Sequence, residues 1–455
     1  MTVVDIHCHT FNADDLPVRG FVDKVAGNKV ALARVLAKAI DKVVQDAATD
    51  ATRENRDLDR RLAKPHGGLE SIGPPPAEVL EAELERDVAE ILAGFDETET
   101  ADLVRAEVEL GGPGSGKPGL EGFGDRFADV KRYLKWAALF GKPRYDLTSL
   151  MISTYPDVAL FTPMLVDFQG LGDEPTTPTV VQLDLQEKIS RLSMRGDLAA
   201  AVHPFVGFDP RRPDALRYAR MAVESFGFVG VKLYPPMGFR PSGNAEDPPP
   251  PMTGAEAQAV DDVLDGLFTW CEREQVPVTA HCNPSNYADP VFKQFSHPDL
   301  WRRVLEAHPG LHLNLGHFGW SARDHDWPKI ICGMTNDFDH LYTDLGNHKV
   351  EDLDESVDYL AELFDPVRTG PTKIGERLMF GTDWFMVATH RSYEDFLVRF
   401  RDAFGSDFPD LADGFMGGVA LRFLGFEDAT NGNNRRLRTR YAEHGFEPPP
   451  WLRTS

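Results

Sequence analysis

Two histidines, His7 and His9, lie one residue apart in the first apolar run of the chain, where residues 3–9 read VVDIHCH. Alternate side chains of a β-strand face the same side, so Asp5, His7 and His9 are expected on one face and Cys8 on the other. Two imidazoles on one rigid strand can bind a divalent cation. Because the His-x-His pattern also occurs without a metal, the prediction depends on polar residues further along the chain.

Four further polar residues each stand at the end of a short apolar run: Lys232, His281, His317 and Asp383. With His7 and His9 they make four imidazoles, one amine and one carboxylate. If the runs are parallel strands, these side chains meet at one end of the sheet. A bound cation would explain why so many polar groups gather there, since metal ligands of these types organise around a positive charge.

Eight short apolar runs are separated mostly by helical patterns, which favours a parallel sheet in an α/β protein. Eight strands of this kind predict a (β/α)8 TIM-like barrel. The predicted strands cover residues 3–9, 158–164, 203–208, 229–233, 276–281, 311–317, 341–345 and 378–383.

Residues 14–147 interrupt the alternation and predict a largely helical insertion after the first strand, with helices near 32–43, 77–92 and 126–140. Residues 1–13 and 148–430 then form the barrel, and residues 431–455 a C-terminal tail. The Gly-rich run 111–118 resembles a phosphate-binding loop, but Pro118 replaces the required Ser or Thr, so a linker is predicted. We expect the insertion to cover the metal face, or else to form an interface between copies.

The chain of 455 residues has 48 Lys and Arg against 72 Asp and Glu, a formal net charge of −24. This balance argues against binding to nucleic acid or to an anionic membrane. Four cysteines make no disulfide framework, no signal peptide is visible, and no apolar run is long enough to span a membrane. We therefore expect a cytoplasmic protein that acts on a small molecule, with a homo-oligomer as a possible assembly.

The motifs together resemble the amidohydrolase superfamily, in its amidohydrolase-related (amidohydrolase 2) branch of metal-dependent hydrolases. Residues 5–9 are similar to its strand-one metal motif, His281 and His317 to its strand-five and strand-six histidines, and Gly381-Thr382-Asp383 to its strand-eight aspartate. Residues 205–212 (FVGFDPRR) and 420–425 (ALRFLG) are similar to that branch. The resemblance implies one or two divalent ions, with Zn²⁺ expected.

Residues 230–235 (GVKLYP) resemble the strand-four motif of dihydroorotase, whose lysine is carboxylated and bridges two metals. The resemblance therefore implies that Lys232 joins His7, His9, His281, His317 and Asp383 as a ligand. A neutral amine can react with carbon dioxide when burial and nearby cations lower its pKa. Alternatively, Lys232 is a structural or substrate-binding cation.

The resemblance implies a hydrolase in which metal-activated water attacks an amide, lactone or ester carbonyl. Asp383 would take the proton and pass it to the leaving group. One alternative is a decarboxylase, C–C hydrolase or hydratase with a single metal, in which His317 is the acid and base. Another is a catalytically silent barrel with a binding role, against which the intact ligand set argues.

Several polar and aromatic residues follow the ligand-bearing strands closely enough to line a substrate pocket. Arg240 is expected to pair with a substrate carboxylate, or else to close a surface ion pair. Trp320 and Trp384 are expected to form apolar walls or to belong to the core. The predicted substrate contacts are Tyr234, Arg240, Asn283, Trp320 and Trp384. Pro236, Asp326 and His390 also follow these strands closely enough to line the pocket.

Overall fold

The computed structural model describes residues 2–46, 50–64, 75–110, 123–168, 171, 175–319, 326–365 and 372–453. Two sequence predictions fall outside these residues: the linker at 111–118 and the side chain of Trp320.

Nine short parallel strands within the described residues form the centre of the molecule. They are β1 (Val3–Cys8), β2 (Val158–Pro163), β3 (Ala201–Val202), β4 (Phe205–Phe208), β5 (Gly230–Leu233), β6 (Val278–His281), β7 (Leu313–Gly316), β8 (Leu341–Asp344) and β9 (Leu378–Met379). Strands β1 to β3 pair in sequence order, and so do strands β4 to β9.

Two contacts join these pieces into one ring. Met164 bridges to Phe205, and Cys8 bridges to Trp384 beyond the end of β9. The Ile6 N–H also donates to the Phe380 carbonyl at 3.2 Å, which ties the first strand to the last. The predicted (β/α)8 barrel is therefore confirmed.

The third barrel strand differs from its predicted bounds of 203–208, because it consists of β3 and β4 with a break between them. Pro204 has no backbone N–H to donate to a neighbouring strand, which explains why the ladder stops there. The His203 N–H still donates to the Phe161 carbonyl at 3.0 Å, so the chain continues in the same direction across the break.

Helices make up most of the remaining described chain. Those before β2 are α1 (Val18–Ala26), α2 (Val30–Asp46), α3 (Ala51–Ala63), α4 (Ala77–Ala93), α5 (Glu97–Leu110), α6 (Phe123–Leu139) and α7 (Arg144–Thr154). Those after β2 are α8 (Thr179–Met194), α9 (Ala215–Ser225), α10 (Gly254–Glu274), α11 (Arg302–Ala307), α12 (Asp326–Asp337), α13 (Leu353–Phe364), α14 (Phe396–Asp407), α15 (Pro409–Asp413), α16 (Val419–Phe423) and α17 (Gly432–Glu443). Within the described chain, no helix has both the length and the apolar character needed to cross a membrane.

A buried ion cluster fixes the helices before β2. Arg144, at the start of α7, donates from Nη2 to Asp15 Oδ1 at 2.6 Å and from Nη1 to Glu54 of α3. All three side chains are buried. Burial opposes the charged form of Arg144, but Asp15 and Glu54 raise its pKa above the ordinary value. The Arg144 guanidinium therefore compensates the negative charges of two buried carboxylates.

Replacing Arg144 by Leu leaves Asp15 and Glu54 buried without a counter-charge. We expect the free energy of unfolding in urea to fall by about 3–5 kcal/mol. The matched control is Arg401→Leu, because Arg401 pairs with Asp157 at 2.7 Å on the exposed surface. That pair is expected to contribute at most about 1 kcal/mol. Equal losses in the two variants would contradict the assigned role of Arg144.

Candidate metal centre

His7 occupies the middle of the polar cluster at the carboxyl ends of the strands. Its Nδ1 lies 3.0 Å from both carboxylate oxygens of Asp344, the last residue of β8. The Asp344 carboxylate also accepts from the backbone N–H groups of His317 (3.1 Å) and Gly346 (2.9 Å) and from Asn314 Nδ2 (2.7 Å). Because these partners already surround Asp344, we interpret it as the group that orients His7 rather than as a metal ligand.

The charge of Asp344 decides which nitrogen of His7 carries the proton. Burial opposes ionisation of Asp344, but His7, His317 and Asn314 hold its pKa well below the ordinary value. An ionised carboxylate only accepts, so His7 donates from Nδ1 and keeps a lone pair on Nε2. Burial lowers the pKa of the His7 ring to about 4, against the opposing effect of Asp344.

His9 is held in the same way by a different acceptor. Its Nδ1 lies 2.8 Å from the Met164 carbonyl oxygen, which can only accept, so Nε2 carries the lone pair in the neutral ring. Nε2 lies 3.0 Å from Asp383 Oδ1, and His7 Nε2 lies 3.7 Å from the same oxygen. Asp383 Oδ1 is buried and has no hydrogen bond of acceptable geometry within the described residues.

In the neutral rings, three acceptor atoms thus converge: His7 Nε2, His9 Nε2 and Asp383 Oδ1. Two atoms bound to one zinc ion at about 2.0–2.2 Å lie roughly 3–3.6 Å apart. The separations of 3.0 and 3.7 Å around Asp383 Oδ1 are close to this range. His7, His9 and Asp383 therefore fit a divalent cation, and the chemistry of the donor set supports one.

The backbone turns sharply at two of these residues. Asp383 has φ 61° and His317 has φ 68°, both in the left-handed region. Non-glycine residues held in that region cost about 1–3 kcal/mol each and cluster at functional sites. The Asp383 N–H donates to the His7 carbonyl at 2.6 Å, which holds the turned backbone beside β1.

His281 and His317 form a second pair of facing nitrogens. His317 Nδ1 lies 3.0 Å from the Gly346 carbonyl, so His317 Nε2 carries a lone pair, and it lies 3.1 Å from His281 Nδ1. Tyr234 stacks on the His281 ring at 4.1 Å between centroids. Either His281 donates a proton to His317, or both nitrogens hold a cation.

Lys232 of β5 reaches the same cluster. Its Nζ lies 3.2 Å from His7 Nε2. Burial lowers the pKa of Lys232 to about 8, although Asp344 and Asp383 act in the opposite direction. A substantial fraction of the amine is therefore neutral at pH values near 8.

The structure thus brings His7, His9, Lys232, His281, His317 and Asp383 into one buried cluster. The family can now be stated from comparison with known proteins. A model of the amidohydrolase family matches residues 157–426, more than half of the chain. The chain belongs to the amidohydrolase family. The resemblance seen in the sequence motifs is confirmed.

Solved structures similar to this amidohydrolase include an uncharacterised TIM-barrel protein, Bb4693, of Bordetella bronchiseptica, at 16% identity and a TM-score of 0.40, covering 61% of this chain and 82% of that one. An amidohydrolase of Burkholderia multivorans with bound zinc is 14% identical at a TM-score of 0.39, covering 60% of this chain and 86% of that one. No curated protein matches the chain. Family membership supports a metal-dependent enzyme.

Three glycines allow the amidohydrolase strands to approach the His7 side chain. A Cβ at Gly316 would lie 2.9 Å from His7 Cε1, and one at Gly381 would lie 2.8 Å from His7 Cβ. A Cβ at Gly346 would lie 2.9 Å from Asp344 Oδ1 and 3.2 Å from His7 Nδ1. Side chains at these positions would displace His7 or break its hydrogen bond to Asp344. Asp344 was missed in the sequence, although it lies near the end of the predicted strand 341–345, and the three glycines were assigned no role there.

The predicted substrate contacts within the described residues differ in burial and in their partners. Tyr234 is buried, and its hydroxyl accepts from Asn286 Nδ2 at 3.3 Å. Asn283 is half-buried, and its carbonyl accepts from Ser296 Oγ at 2.9 Å. Trp384 is buried and pairs with the first strand, so it forms part of the barrel wall.

Arg240 is not brought to the cluster by the structure. Its Nη2 lies 2.7 Å from Asp247 Oδ2, and its guanidinium stacks over Phe295 at 4.4 Å from the ring centroid. This is the surface ion pair that the sequence left open as the alternative to a substrate carboxylate. The counter-charge comes from Asp247, seven residues further along the chain.

A cleft of about 620 Å³ opens beside Asp383. Its described lining includes Trp136 of α6, Tyr287 after β6, and Met386 and His390 after β9. Helices before β2 and loops after the barrel strands therefore share one cavity. This cavity, called the active-site cleft below, is lined by one of the candidate metal ligands, Asp383.

Replacing Asp344 by Asn removes the charge that fixes the His7 tautomer. Gly346→Ala introduces a Cβ that would press against the hydrogen bond between His7 and Asp344. We expect each change to weaken metal affinity about 10–100-fold in competition with a chromogenic chelator. The matched control is Asp339→Asn, because Asp339 is exposed and pairs with Lys373. Unchanged affinity in both site variants would show that Asp344 does not orient a ligand.

Proposed function

We propose that this amidohydrolase uses a divalent cation, Zn²⁺ in the first instance, to hydrolyse an amide, lactone or ester bond of a small molecule. The observation that carries the proposal is the convergence of His9 Nε2, at 3.0 Å, and His7 Nε2, at 3.7 Å, on the buried Asp383 Oδ1. Two imidazoles and a carboxylate that converge inside a protein are a donor set that a divalent cation satisfies.

His7, His9 and Asp383 would hold the first ion. A divalent cation there supplies two effects, lowering the pKa of a coordinated water and polarising a carbonyl oxygen. His281, His317 and a carboxylated Lys232 would hold a second ion.

Asp383 is also the proposed proton carrier. Burial alone would raise its pKa, but His9, His317 and His7 lower the pKa to about 2, so the carboxylate is ionised at neutral pH. It can accept the proton of the attacking water at a carboxylate oxygen and deliver it to the leaving group. The Nδ1 atom of His317 is engaged by the Gly346 carbonyl, so its Nε2, which faces His281 Nδ1 at 3.1 Å, is the atom that can accept a proton or bind a cation.

The helices before β2 are proposed to act as a cover of the cleft, and residues 14–147 as an insertion into a barrel made by 1–13 and 148–430. Two contacts support this. Phe21 of α1 lines the active-site cleft, and Lys24 Nζ donates to the Ala288 carbonyl at 3.2 Å, which joins α1 to the loop after β6.

A single-metal decarboxylase, C–C hydrolase or hydratase is the second candidate. Its supporting observation is the 3.1 Å contact of His317 Nε2 with His281 Nδ1, since an imidazole that only hydrogen-bonds there is available as acid and base. In that case His7, His9, His281 and Asp383 would bind one ion.

Removal of metal tests the main proposal. Dialysis against a chelator should abolish hydrolysis across a panel of amides, lactones and esters, and Zn²⁺ should restore it. Asp383→Asn and His9→Asn should each lower kcat/KM at least about 100-fold, because each removes a ligand. Asp247→Asn, remote from the cluster on the exposed surface, serves as the control. Hydrolysis that survives complete metal removal would refute the proposal.

The state of Lys232 separates the one-ion and two-ion alternatives. If the amine is carboxylated, native mass spectrometry in bicarbonate should show the added mass of one carbon dioxide and two ions per chain. Lys232→Ala should then bind fewer ions and regain activity with added acetate or propionate, whose carboxylates can replace the carbamate. Lys293→Ala, at an exposed position, is the control. One ion and an unmodified Lys232 would favour the single-metal candidate.

A further inference from the structure

Two residues that line the active-site cleft, on elements that touch, each carry a buried ring nitrogen without a partner in the described chain. Helix α6 packs against the turn Met386–Thr389. Arg132 of α6 also donates from Nε to the Thr389 carbonyl at 2.9 Å, which fixes the two elements together. Trp136 and His390 both line the cleft from this shared wall.

Trp136 presents a donor with nothing to receive its proton. The side chain is 1% exposed, and Nε1 has no hydrogen-bond acceptor among the described residues. An indole N–H can only donate, and a buried one usually has a partner. Leaving it unpaired costs about 1–3 kcal/mol, so an acceptor brought by a ligand would be favourable.

His390 presents a second unsatisfied group. Its Nδ1 is buried without a partner in the part of the chain that the structure describes, while its backbone N–H donates to the Val387 carbonyl at 2.7 Å and fixes the turn. Burial lowers the pKa of His390 to about 4, with Lys349 acting in the same direction and Asp383 against it. The ring is therefore neutral at neutral pH, with one donor and one acceptor.

We propose that Trp136 and His390 form a subsite that binds an uncharged oxygen-bearing group of the substrate, such as an amide, ester carbonyl or hydroxyl. This inference rests on the proposed function and names the substrate class for the same cleft. An oxygen acceptor satisfies the indole N–H, and a neutral imidazole can donate to it or accept from the same group.

The charges of the cleft support an uncharged substrate. Among the described lining residues no arginine occurs, and Lys24 is the sole lysine. Lys24 Nζ already donates to the Ala288 carbonyl at 3.2 Å, and Asp23 lies beside it in the lining. Arg240, the cation expected to receive a carboxylate, pairs with Asp247 instead. A substrate carboxylate would thus find no free guanidinium among the described lining residues, while Phe21 and Met386 offer apolar surface.

The test uses the metal-loaded full chain and three acetanilides that differ at the para position, carrying a carboxamide, a methyl group or a carboxylate. Ligand-observed NMR titration gives each dissociation constant, and the same spectra report hydrolysis. We expect the carboxamide to bind at least about 10-fold more tightly than the other two, because the subsite pairs with its oxygen. If none of the three probes is hydrolysed, that result argues against the proposed function but not against the subsite, because the dissociation constants are measured independently of hydrolysis.

Variants locate the preference in the two residues. His390→Leu and Trp136→Phe should each bring the dissociation constants of the carboxamide and methyl probes towards equality. His390→Asn, whose amide keeps a hydrogen-bonding group, should retain most of the preference. His340→Leu is the control, because His340 is half-buried before β8 and stacks on His312 away from the cleft. Metal content should be unchanged in all four.

Four results would overturn the inference: tightest binding of the carboxylate probe, equal or undetectable binding of all three, a preference that survives in both His390→Leu and Trp136→Phe, or loss of bound metal together with the preference. The last result would show that the residues act through the metal centre and not on the substrate.

Discussion

The hydrogen bond between His7 and Asp344 is the contact on which the site depends. It joins the first strand to β8 and fixes the proton of His7 on Nδ1. The lone pair on Nε2 then faces Asp383 and Lys232. Without this bond the ring could turn or change tautomer, and a donor would replace an acceptor in the cluster. Orientation of a ligand histidine by an outer hydrogen-bond acceptor is general in metal sites, because the ligand must meet the ion already deprotonated and aligned.

The same requirement explains the backbone around His7. An imidazole cannot lie among neighbouring strand ends unless those strands leave room, and Gly316, Gly346 and Gly381 supply that room. Asp383 faces inward because its backbone is left-handed, which a regular strand would not allow. These features cost conformational free energy. The compensating interactions are the contacts of the closed barrel, so the site and the fold depend on each other.

The sequence predicted the barrel and the clustering of His7, His9 and Asp383 because both follow from strand periodicity and from the rule that parallel strand ends converge. It did not predict Asp344, although the strand at 341–345 was recognised, because nothing local distinguishes an orienting carboxylate from an ordinary one. The sequence leaves two partners open for Arg240, a substrate carboxylate or a surface carboxylate, and only the folded chain shows Asp247 beside it. Pairings between residues on different segments depend on the tertiary structure, and hydrophobic periodicity carries no information about them.

The proposed metal ligands and the proposed substrate subsite lie on partly different elements of this chain. The proposed ligands stand at strand ends, which a rigid barrel holds in place, whereas Trp136 belongs to α6, before β2. The family match begins at residue 157, so α6 lies outside it, as do His7 and His9. A helical segment outside the matched region can change without moving the strand ends, while the turn after β9 carries both Asp383 and His390 and is tied to α6 through Arg132. Changes at Trp136 on α6 can therefore alter the proposed subsite without moving the proposed ligands, whereas the position of His390 depends on the same turn as Asp383.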